Sequence, residues 1–109
     1  MTSSNLILIG SGDFALEVSD YLTEKNKDLS AEKLIITDIV SKSEGRFDEI
    51  CSFIGYKVQY HKTLTTIKEK EKKSALVCLG SSETRHKIYK ELKKNKFNLG
   101  TFIHKTALV

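Results

Sequence analysis

A chain of 109 residues has room for one domain and one core, residues 1–109, and its 39% hydrophobic and 29% charged content excludes a disordered or fibrous chain. No apolar run approaches the roughly 18 residues that span a bilayer, and Met1-Thr2-Ser3-Ser4-Asn5 carries no cationic secretory leader, so a cytoplasmic domain without membrane contact is expected. The net charge of +4 raises nucleic acid as a partner, but Lys68, Lys70, Lys72 and Lys73 alternate with Glu69 and Glu71 as on a solvated face. No aromatic residues are interleaved to stack on bases, and nucleic acid is not expected.

Residues 5–9 read as a buried strand and residues 13–25 as a helix with Phe14, Val18, Tyr21 and Leu22 on one face, ended by Asn26 and Lys27. Residues 33–38 form a second strand, which places Asp38 at its C-terminal end, and a polar loop runs on through Gly45. Residues 47–53 suit a short helix that Gly55 stops, before a short strand over 56–60. Leu64 and Ile67 stand at helical spacing among charges, so residues 63–72 read as a short surface helix.

Residues 75–79 return to an apolar strand, and Gly80-Ser81-Ser82 turns it into a helix through about Asn95, with Ile88, Tyr89 and Leu92 as the apolar face. A last strand is expected at 100–103. Strands alternating with helices imply right-handed crossovers: a small Rossmann-like α/β domain, its mostly parallel sheet covered by helices on both faces.

Ligands of such sheets sit beyond the strand C-termini, where the strand order reverses. Gly10-Ser11-Gly12-Asp13-Phe14-Ala15 has the form G-x-G-x-x-G/A between a strand and a helix, where backbone N–H groups and the helix dipole can hold a phosphate. The alternative is a tight strand-to-helix turn. Asp13 would repel a phosphate unless its carboxylate points away as an N-cap. Asp38 is placed to accept hydrogen bonds from a ribose or a base edge, or else is a solvated strand-end residue. The turn at Gly80, Ser81 and Ser82 offers a second helix N-terminus, and Arg85 either clamps a phosphate or pairs on the surface with neighbouring glutamates.

His61, His86 and His104 share no metal-like spacing with Cys, Asp or Glu and neighbour no evident nucleophile, so each reads as a surface or boundary residue. Cys51 and Cys78 read as reduced structural thiols. No catalytic residue and no metal site is expected.

The segments Leu6 to Val18, Asp38, Leu79 to Tyr89 and Phe102 to Ala107 together resemble the N-terminal domain of bacterial nucleotide-sugar and sialic acid acetyltransferases, the group related to the PglD and NeuD enzymes. The resemblance covers nearly the whole chain. It departs at Asp13, where the family often has glycine, and at Lys105, where it often has proline. It implies that Gly10 to Phe14, Asp38, and Gly80 to Ser82 contact a UDP-linked amino sugar, with Arg85 matching the motif as well.

The resemblance also implies a following left-handed β-helix that holds acetyl-CoA, supplies the catalytic histidine and builds a homotrimer. This chain would then be a substrate-binding domain of a sugar N- or O-acetyltransferase in glycan biosynthesis, inactive by itself, with no cofactor of its own and a monomer left open. Two further readings stand beside it: an NAD- or CoA-binding Rossmann domain, and a non-catalytic interaction domain whose ligand site has decayed.

Overall fold

The computed structural model describes residues 3–27, 33–78 and 82–99. Five strands pair in parallel in the order β3-β2-β1-β4-β5. They are β1 (Ser3–Ile9), β2 (Lys33–Val40), β3 (Gln59–His61), β4 (Lys73–Val77) and β5 (Asn98–Leu99), with helices α1 (Asp13–Lys25), α2 (Phe47–Ile54) and α3 (Ser82–Lys94) between them. The expected small Rossmann-like α/β fold is what the chain adopts.

The apolar run Leu6 to Ile9 makes β1 the central strand, because both of its faces are buried. Leu6 and Leu8 enter one cluster with Ala15, Val18 and Leu22 of α1 and Phe47 and Ile50 of α2. Ile7 and Ile9 enter the other, with Ala75, Val77, Leu92 and Phe97. Helices therefore cover both faces. Each fully buried leucine or isoleucine among them contributes roughly 1.5–3 kcal/mol relative to exposure.

Helix α1 ends at Asn26, whose side-chain amide bonds both backbone groups of Leu34 at 2.9 Å and so ties the helix end to β2. Helix α2 ends at Gly55, whose φ of 89° supplies the left-handed stop that a side chain would resist. Cys78 is buried, which pushes its thiol up to about 12 and leaves it protonated, while Cys51 is half-buried. Among the described residues no helix is long and apolar enough to cross a membrane.

Several boundaries differ from the sequence reading. Strand β2 runs two residues further, to Val40; β3 starts later, at Gln59; β4 starts earlier, at Lys73. The surface helix expected over 63–72 is absent: two 3-10 turns, Leu64–Thr66 and Lys70–Lys72, take its place. Leu64 and Ile67 still reach the core, but two apolar residues are too few to hold a helix, and Glu69 turns the backbone left-handed at φ 54°. Strand β5 lies at Asn98–Leu99, and the strand expected at 100–103 falls outside the described residues.

Strand β2 also carries an irregularity with consequences for the site. Leu6 pairs with Ile36 and Ile7 with Asp38, which leaves Thr37 unpaired as a bulge. The extra residue inverts the alternation, so Ile36 and Ile39 share one face while Asp38 turns to the other with Val40.

Candidate functional site

In a parallel sheet every strand delivers its following loop to the same edge. The turn after β1, the loop 41–46 after β2 and the start of α3 after β4 therefore gather beyond the strand C-termini. The order reverses at β1, between β2 on one side and β4 on the other.

Gly10 adopts φ 118°, a conformation that disfavours any side chain, and its N–H donates to the Val40 carbonyl at 2.7 Å. Ser11 is buried. Its hydroxyl donates to the Ser43 carbonyl at 3.0 Å, with Ser41 Oγ also at 3.0 Å, and its carbonyl accepts the Arg46 N–H at 2.7 Å. Gly45 makes this contact possible, since a Cβ there would stand 2.7 Å from Ser11 Oγ and 2.8 Å from the Ser11 carbonyl oxygen. Gly12 is the helix N-cap in extended backbone, and a Cβ there would meet nothing within 4 Å.

Asp13 is not the N-cap that would turn its charge away: it is the first residue of α1, 83% exposed at its side chain, and it pairs with Arg46 Nε. The Arg46 guanidinium also binds both Glu49 oxygens, at 2.9 and 3.0 Å, and the two carboxylates, Asp13 foremost, hold it firmly charged. An anion approaching the α1 N-terminus thus meets an Asp13 carboxylate paired with a guanidinium instead of a bare one, although Arg46 shares its single charge with Glu49. Phe14 packs against the core, so its side chain serves the fold.

Asp38 lies away from this edge. It is 2% exposed, inside β2 opposite Ile7, and both of its oxygens are engaged. Oδ1 accepts from Thr37 Oγ1 at 2.5 Å and from Lys73 Nζ at 2.8 Å; Oδ2 accepts from His61 Nε2 at 2.8 Å. Burial opposes its ionisation, but the Lys73 ammonium, the Thr37 hydroxyl and His61 outweigh that and keep the carboxyl below its ordinary range.

Ser82 opens α3 and is exposed; Arg85 is half-buried, and its Nε has no hydrogen-bond partner among the described residues. Gly80 and Ser81 lie outside the described residues. The structure therefore gathers Gly10 to Phe14 and Ser82 at one edge, and it directs Asp38 inward.

A cavity of about 270 Å³ adjoins the glycine turn, lined by Ile9, Val40 and Ser41 from the strand ends, Lys42, Lys62 to Leu64, and Thr84, Ile88 and Glu91 of α3. That volume is at the small end of ligand cavities, which run about 300–1,000 Å³, so it would hold part of a ligand whose remainder lies in the open. A larger groove of about 610 Å³ runs beside β3, but Glu44 and Asp48 outnumber Lys57 in its lining and make it a poorer site for an anion. Among the described residues no group of His, Cys, Asp and Glu could hold a metal ion.

The sequence reading missed the roles of His61 and Lys73. Their signal was indirect: a carboxylate among Ile36, Ile39 and Val40 must be compensated if buried, yet nothing local says by which residues. No protein-family model matches the chain, and no curated protein matches it at a significant level.

Proposed function

We propose that this chain binds a nucleotide, foremost a UDP-linked amino sugar, at the C-terminal edge of β1 and β2. The observation that carries the reading is the cavity at the strand ends where the strand order reverses, reaching Ile9 just before the glycine turn, apolar at Ile9, Val40, Leu64 and Ile88 and flanked by Lys42 and Lys62. An apolar slot suits a base, lysines suit phosphate, and the helix N-terminus beyond Gly12 favours negative charge. The pairing of Asp13 with Arg46 reduces the main electrostatic objection.

With the resemblance to sugar acetyltransferases, this makes the chain a substrate-binding domain that presents a sugar to a catalytic part borne elsewhere. Calorimetry with UDP and a UDP-amino sugar tests it. Saturable binding of both, with the sugar nucleotide tighter, is expected; no heat at millimolar ligand from folded protein overturns the reading. Enhanced NADH fluorescence on mixing would point to a dinucleotide in its place.

A further inference from the structure

Lys62, Thr63 and Leu64 form one wall of the cavity, and the residues flanking them are bonded to each other. Because a carboxylate only accepts, His61 Nε2 carries the proton shared with Asp38 at 2.8 Å, and His61 Nδ1 is hydrogen-bonded with Thr66 Oγ1 at 2.6 Å. The ring is thus held at both nitrogens. Its carbonyl accepts the Ser41 N–H at 2.9 Å, and Asp38 is itself fixed by Thr37 and Lys73. On the far side Thr63 Oγ1 and Thr65 Oγ1 are 2.8 Å apart. A loop seated at Leu64 in the core is in this way also bound to the sheet interior through its polar residues.

We propose that His61 and Thr66 are positioning residues: they clasp loop 61–66 and set the Lys62 ammonium against the anionic part of the ligand. The proposal rests on the nucleotide-binding reading above. A lysine on an unanchored loop would surrender much of its attraction to the entropy of ordering that loop, whereas a clasped one has lost that freedom before the ligand arrives. Glu91, the one carboxylate among the lining residues, belongs to α3, so the phosphate side of the cavity is the side of Lys42 and Lys62. The clasp therefore governs selectivity for a charged nucleotide over a neutral nucleoside more than overall stability.

The test compares Kd values for UDP and uridine by calorimetry in the wild-type chain, Thr66→Val, Thr66→Ser and His61→Asn. Thr66→Val should reduce the preference for UDP over uridine about fivefold, the order of one exposed charge contact, with an unchanged Tm. Thr66→Ser, which keeps the hydroxyl, should retain the preference. His61→Asn should lose it at least as fully. An unchanged preference in Thr66→Val overturns the proposal. If the wild-type chain binds neither ligand, the nucleotide reading falls separately, and amide exchange then decides the clasp. Faster exchange at residues 62–65 in Thr66→Val than in Thr66→Ser, with β1 unchanged, supports it; equal exchange overturns it.

Discussion

The Lys73 ammonium on β4 and the Asp38 carboxylate on β2 meet at 2.8 Å although β1 runs between their strands. Lys73 stands opposite Asn5 at the start of β4, and Asp38 stands opposite Ile7, so the lysine stem crosses the face of the central strand to reach its partner. Both side chains are largely withdrawn from water, at 13% and 2% exposure. Removing one member leaves the other charge buried. Lys73→Met should therefore destabilise the fold by about 3–5 kcal/mol in urea unfolding, with the double variant Asp38→Asn/Lys73→Met recovering much of the loss. A single variant as stable as the wild-type chain would show that His61 and Thr37, or water, suffice to hold the carboxylate.

The same carboxyl predicts an acid limb of stability. Its folded-state pKa lies below the ordinary value of about 3.9, so the unfolded chain takes up its proton first on acidification. The stabilisation is complete above the unfolded value and is lost as pH falls through the folded one. Urea midpoints measured from neutral to strongly acidic pH should fall at the acid end, and Asp38→Asn should flatten that fall.

Gly45 and Gly12 should respond differently to alanine. At Gly45 the φ of 48° is positive and the new methyl would strike Ser11, so Gly45→Ala should lower stability by about 1–3 kcal/mol and displace loop 41–46. At Gly12 the backbone is extended and the space is open, so thermal melts of Gly12→Ala should match wild type. Any loss of UDP affinity in Gly12→Ala would then place ligand against that Cα.

Arg46 matters to the site through Asp13. Arg46→Gln should weaken UDP binding about tenfold by uncovering the Asp13 carboxylate at the α1 N-terminus, and Asp13→Gly in the same background should restore it. Calorimetry on the two single variants and the double variant separates this coupling from a direct contact: a double variant as weak as Arg46→Gln would mean that the guanidinium itself holds the ligand.

Helix α3 is anchored chiefly by Leu92, its one fully buried side chain. Leu92→Ala should cost about 2–5 kcal/mol in urea unfolding, the usual range for a leucine truncated in a packed core. The loss should fall on the second cluster, so near-complete retention of α1 amide protection beside lost α3 protection is the expected exchange pattern.

The layered architecture was legible because hydrophobic periodicity is written locally. Leu6 to Ile9 announces a strand buried on both faces, and Ala15, Val18 and Leu22 place α1 on one of them. The glycine turn was legible for the same reason: Gly10 is required by its own φ. The middle of the chain was harder to read. Leu64 and Ile67 have a helical spacing, but Leu64 only opens a short 3-10 turn that Ile67 ends in extended backbone, and spacing alone cannot reveal that Glu69 then turns the backbone left-handed.

The residues alone determined most of the element types, the burial of the first strand and the strand-to-helix turn at Gly10 to Phe14. Only the tertiary structure decided what Asp38 does. One unpaired residue, Thr37, turns it from the α1 face to the α3 face, and strand order then brings it His61 from 23 positions away and Lys73 from 35. Periodicity reports which side chains avoid water, because that depends on each segment's own geometry. The partner of a buried charge depends on register between strands distant in sequence, and that is settled only when the sheet closes.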